Sequence, residues 1–164
     1  MSKNTLLRLS AVTAIVGGAL RVADSFITAV ATVPIQRVAY FVTDLMLACG
    51  LCGIYLSRRN RLGLAGLLGF AASITGILMV RSFGQAAYLV GATVTLLGIV
   101  VISVAILARD AFPKSAPILW IASLIAGVIG LLPFGINWGV TVAGVIFGLG
   151  VIAAGISLFA GTET

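Results

Sequence analysis

Asp24 and Asp44 are carboxylates embedded in otherwise apolar sequence, and each has an arginine within helical reach. A charge at the centre of an apolar membrane-length stretch costs about 2.5–3.5 kcal/mol on insertion scales, so such residues are functional candidates from the outset. Arg21 and Asp24 stand three positions apart, share a helix face and are placed to pair. Arg37, Tyr40 and Asp44 share a face of the next helix, and Arg81 and Gln85 flank the turn after the third. With the first three helices as neighbours, Arg21, Asp24, Asp44 and Arg81 form one network, and mutual pairing offsets much of the burial cost. Counting residues along the helices puts Asp44 at nearly the depth of Asp24. Asn137 and Trp138, in a later turn on the same side, are placed to line the mouth of a polar cavity above the cluster. The chemistry this allows is recognition or passage of a small solute or a lipid headgroup. The competing expectation is a neutralised ion-pair cluster that only fixes helix register.

Bond-making chemistry has little to work with. The chain has no His, which removes imidazole general bases and His-held metals or haem. Cys49-Gly50-Leu51-Cys52 has the C-x-x-C spacing of a dithiol redox pair, but it falls in mid-helix with no second pair to relay electrons, so the two residues are expected to be small packing groups. Phosphate-binding loops, nucleophile elbows, zincin helices and dinucleotide fingerprints are missing from the sequence. No metal site, no cofactor and no enzymatic activity are therefore expected.

The elements that must position these residues follow from composition. Apolar residues make up 61% of the 164 positions and charged ones 9%, against roughly 25% charged in soluble domains. Water cannot solvate so much apolar surface on so small a chain, which makes lipid the expected solvent and the bilayer the first partner. The net charge of +6 arises from eight Arg and two Lys against four acids, set at the ends of apolar runs. That placement fits membrane orientation and anionic lipids at the cytoplasmic face, not nucleic acid.

Apolar runs predict an all-α polytopic bundle, a single domain over 1–164, with six short-looped transmembrane helices at about 9–30, 38–57, 62–80, 86–108, 116–133 and 136–160. Long Val, Ile, Leu, Ala and Gly runs show none of the two-residue alternation of a membrane barrel. The basic start and Ala29-Val30-Ala31 have the outline of a cleaved leader, yet Arg21 and Asp24 interrupt it, so the first span is expected to be retained. Lys3, Arg8, Arg58, Arg59, Arg61, Arg109 and Lys114 fall on one side of such a bundle, and Arg37 and Arg81 on the other. The asymmetry predicts both termini in the cytoplasm of a bacterial-type inner (plasma) membrane, with 58–61 as a basic inner loop.

Small or polar residues recur mostly at spacings of three and four: Ala14, Gly17, Arg21, Asp24, Thr28; Gly66, Gly69, Ser73, Gly76; Trp120, Ser123, Gly127, Gly130; and Asn137, Thr141, Gly144, Gly148, Val151, Gly155. Helices in lipid associate by close backbone approach, so these stripes are expected to face the bundle. The G-x-x-x-G at Gly144 and Gly148 is also placed to mark a homo-oligomer face. A scaffold role, as an accessory subunit beside a partner membrane subunit, is the alternative to solute binding.

Overall fold

The structure is a computed structural model that describes residues 3–27, 32–82, 85–109, 112–131 and 138–161, and these form an all-helical bundle. Its five helices are α1 (Lys3–Ile27), α2 (Val33–Ser82), α3 (Gln85–Ala108), α4 (Ser115–Leu131) and α5 (Gly139–Ala160). Four of them, α1, α2, α3 and α5, are long and apolar enough to cross a membrane, and α4 is a shorter apolar helix of 17 residues. Pro34 and Pro117 sit in the first turns of α2 and α4, where a backbone N–H has no intrahelical partner to lose.

The expected basic loop at 58–61 is helical instead. α2 runs for 50 residues and leaves helical geometry at a single position, Gly63, with φ 61° and ψ −155°. Arginine is a good helix former and its stem covers apolar surface, so three arginines do not end a helix; the break falls where φ turns positive, which only a residue without a Cβ adopts unstrained. On a straight helix Tyr55 and Phe70 would be separated by about 22 Å. Their rings stack with centroids 4.6 Å apart. The chain therefore reverses at Gly63, and α2 is a hairpin of two arms, 33–62 and 64–82.

The arms and the other helices pack as antiparallel neighbours. α1 lies on the first arm, with Gly17 against Met46 and Leu47, Gly50 against Ala14, and Gly53 against Ser10. The second arm lies on α3 through Gly69, Ser73, Gly76 and Gly98; α5 lies on α1 through Gly18, Gly144, Gly148 and Gly155. α4 packs on α5, and a smaller contact between α3 and α4 closes the ring. The glycine stripes face inward as expected. Gly148 meets the Gly18 backbone and Gly144 meets Ser25, so the G-x-x-x-G face is occupied by α1 of the same chain rather than left open for a second copy.

Large apolar side chains line the outside: Leu64, Leu68, Leu78, Val38, Ile118 and Ile156 are all more than half exposed. Several polar ones are inside, with Asp24, Thr43, Ser73, Ser103 and Ser123 buried. Ser73 and Ser103 donate to the carbonyls of Gly69 and Ile99 four residues back, at 2.8 and 2.7 Å, which satisfies each hydroxyl without a second helix. Ser123 instead reaches across to the Ala143 carbonyl of α5 at 2.8 Å.

Candidate functional site

The antiparallel pairing of α1 with the first arm of α2 sets the levels of the candidate residues. Ser10, Ala14 and Gly17 meet Gly53, Gly50 and Met46–Leu47 in turn. Two further turns up α1, the same ladder brings Arg21 level with Thr43 and Asp24 level with Tyr40. Asp44 falls level with Ala19 and Leu20, roughly one turn deeper than Asp24. The equal depth expected from counting each helix separately is thus corrected by register: the first arm starts at Val33, five residues before the expected span, and carries Asp44 further in.

Arg21 and Asp24 continue the α1 face that Ser10, Ala14 and Gly17 begin, which explains why both meet protein. Asp24 is only 4% exposed, and its Oδ2 has no hydrogen-bond partner among the described residues. The anticipated Arg21–Asp24 ion pair does not form: no contact within 4.0 Å links their charged groups. Arg21 is half-buried and turns toward α5, where a Cβ on Gly144 would lie 3.8 Å from Nη2. Gly144 is needed there, because Ser25 also presses on it while donating to the Arg21 carbonyl at 3.0 Å.

Thr43 is a member of this site that the charges alone did not reveal. It is 1% exposed, and its hydroxyl also lacks a partner among the described residues. The signal was its spacing: Thr43, Leu47, Gly50 and Ile54 follow each other at helical intervals of three and four, which puts Thr43 on the face that meets α1. Tyr40 and Asp44 are half-buried and engaged in polar or ring contacts, so neither is free. Arg37 is exposed at the start of the first arm.

Trp138 is 60% exposed at the N-terminal end of α5. Arg81 and Gln85 belong to the last turn of α2 and the first of α3, but their side chains, and all of Asn137, lie outside the described residues. The dithiol splits: Cys49 is exposed on the bundle surface and Cys52 is half-buried, both as free thiols, so Cys49 is not the packing residue the sequence suggested. Among the described residues no group of three His, Cys, Asp or Glu comes together to hold a metal.

Arg21, Asp24, Tyr40 and Thr43 thus form a polar level between α1 and the first arm, roofed on one side by α5. An unpaired carboxylate oxygen accepts hydrogen bonds and attracts cations, a threonine hydroxyl donates or accepts, and a guanidinium only donates. Clefts of about 400 and 340 Å³ lie at the opposite, Gly63 end. No protein-family model, no curated protein and no solved structure matches this chain.

Proposed function

We propose that the chain is a non-enzymatic integral membrane protein of six crossings, both termini on the cytoplasmic side of a bacterial-type plasma membrane. In this reading it binds or passes a small solute or lipid headgroup at the Asp24 level. The hairpin at Gly63 supports six crossings, since it makes two antiparallel arms out of one 50-residue helix. The clustering of Arg58, Arg59, Arg61 and Arg109 around that turn supports its assignment to the cytoplasmic side.

The observation that carries the binding reading is Asp24: a carboxylate buried to 4% with an oxygen that no described residue satisfies. Leaving such a group unpaired costs about 1–3 kcal/mol or more, whereas a bound donor or cation removes that cost. The occupant therefore carries a hydrogen-bond donor or positive charge toward Asp24. The test is thermal unfolding of the purified chain in detergent against a panel of monovalent cations and small amines, sodium and ethanolamine among them. One member raises the wild-type Tm and loses its effect in Asp24→Asn; if none does, the site has no ligand of this class.

A second reading, an accessory or scaffold subunit with a purely structural polar level, is favoured by one observation. Packing beside the polar level is tight, with Ser25 leaving no room for a Cβ on Gly144. Under that reading Asp24→Asn raises stability and no solute distinguishes it from wild type.

A further inference from the structure

At the Gly63 end, the first turns of α1 and the last turns of the first arm of α2 enclose a cleft of about 400 Å³. Leu6 and Leu7 form one wall, and Leu56, Arg58, Arg59 and Arg61 the other. Arg59 and Arg61 are exposed, and their side chains make no hydrogen bond or ion pair among the described residues. Arg58 is half-buried, and its Nε is buried with no hydrogen-bond partner among them. The acids among the described residues are Asp24 and Asp44, both toward the other end of the bundle, so nothing described here neutralises these guanidinium groups. The α1 N-terminus beside the cleft adds the positive end of its helix dipole.

Planar, permanently charged donors grouped on one rim match the oxygens of a phosphate. The apolar wall decides what kind of phosphate. Leu6 continues into an exposed stripe on α1, Leu6, Leu9, Val12 and Val16, with exposures of 42, 52, 47 and 40%. Spacings of three and four keep these four within about a third of the helix circumference, so the stripe is a continuous apolar track leading away from the basic rim. A free anion has no use for it; an acyl chain does.

We propose that this cleft is a binding site for one anionic phospholipid, its phosphate held by Arg59 and Arg61 beside Arg58 and its acyl chain laid along the Leu6 to Val16 stripe. The proposal rests on the membrane reading above but not on the Asp24 site. The full chain is purified in mild detergent, and retention of added phosphatidylglycerol and phosphatidylcholine is counted by native mass spectrometry, with sodium phosphate as the water-soluble arm. Each basic group near an anionic surface is worth about a factor of five. The double variant Arg59→Gln, Arg61→Gln therefore lowers the preference for phosphatidylglycerol roughly 25-fold. Lys114→Gln removes a charge from the same end but outside the cleft, and leaves the preference within about twofold.

Equal retention of the two lipids, or an equal loss in Lys114→Gln and the double variant, overturns the site in favour of diffuse surface charge. Thermal stabilisation by sodium phosphate matching that by phosphatidylglycerol overturns the lipid assignment in favour of a free anion. Alkaline carbonate extraction of membranes from expressing cells separates the two levels of failure. A chain released by carbonate sinks the membrane reading itself, whereas a retained chain without lipid preference sinks only this site.

Discussion

Replacing Gly63 with alanine is the sharpest test of how the sequence makes its hairpin. The residue's φ of 61° and ψ of −155° lie in a region populated almost only by glycine, where a Cβ costs on the order of 1–3 kcal/mol. The same Cβ would stand 2.5 Å from Nη1 of Arg109, which donates to the Arg61 carbonyl at 3.0 Å across the turn. That guanidinium is exposed and at the end of a flexible stem, so it swings aside, and losing its bond adds roughly 1 kcal/mol at most. The expected total is about 1–4 kcal/mol of destabilisation, read by reversible unfolding in mixed micelles. Gly127→Ala is the control: its Cβ finds Ala143 at an ordinary 3.6 Å, and alanine's helix propensity makes the change neutral or favourable. Hairpin geometry has its own readout in disulfide trapping of Tyr55→Cys with Phe70→Cys, on a background with Cys49 and Cys52 changed to alanine. These positions cross-link in the native hairpin and fall out of reach if the arms straighten. Equal stability of Gly63→Ala and Gly127→Ala would refute the left-handed turn, and failure of the native pair to cross-link would refute the hairpin.

Two further expectations concern packing. A Cβ at Gly98 would lie 2.5 Å from the Ser73 nitrogen and 2.6 Å from the Gly69 carbonyl oxygen, both backbone atoms that cannot rotate away, so Gly98→Val forces α3 off the second arm and destabilises by about 1–3 kcal/mol or more in the same unfolding assay. Ser123→Ala removes the hydroxyl bond to the Ala143 carbonyl on α5 and costs about 0.6 kcal/mol, the usual worth of an interhelical bond in a membrane protein, while Ser73→Ala, whose hydroxyl serves its own helix, stays closer to zero.

Much of the bundle was legible because two signals in the sequence have single physical meanings. Apolar runs of membrane length specify helices, and small residues at intervals of three and four specify which side of each meets a neighbour. Gly69, Gly76, Gly148 and Gly155 all fall on such faces and all contact another helix. The 58–61 segment is helical where a loop is expected because charge alone does not end a helix. The break comes two residues later, at Gly63, the first residue after the arginines that lacks a Cβ. In the site, Arg21 and Asp24 share a helix face as their spacing requires, yet spacing cannot say whether two side chains on one face turn to each other. Arg21 finds room beside Gly144, a residue more than a hundred positions away, and Asp24 is left with an oxygen that none of the described residues satisfies. Thr43 carries no charge to mark it, and a lone threonine in an apolar run is ordinary until register sets it level with Arg21, one turn from a buried carboxylate.

The basic end shows why a count of arginines does not identify a binding site. Some of these cations are engaged by the fold: Arg8 lies over the Phe159 ring at 6.0 Å and Arg58 over Phe112 at 5.9 Å, cation–π contacts that tie the ends of α1 and the first arm to the end of α5 and the entry to α4. Arg109 closes the hairpin turn through the Arg61 carbonyl. Arg59 and Arg61 are left with exposed guanidinium groups and no described partner, on a cleft whose other wall is leucine. Orientation in a bilayer asks only that positive charge be near this end, and any of these residues would meet that demand. Ligand recognition asks that some of the charge stay unpaired and face a cavity, and only part of the cluster does. The division predicts that neutralising Arg59 and Arg61 changes lipid selectivity with little effect on folding, whereas Arg58→Ala, which also strips packing from Phe112, weakens the fold itself.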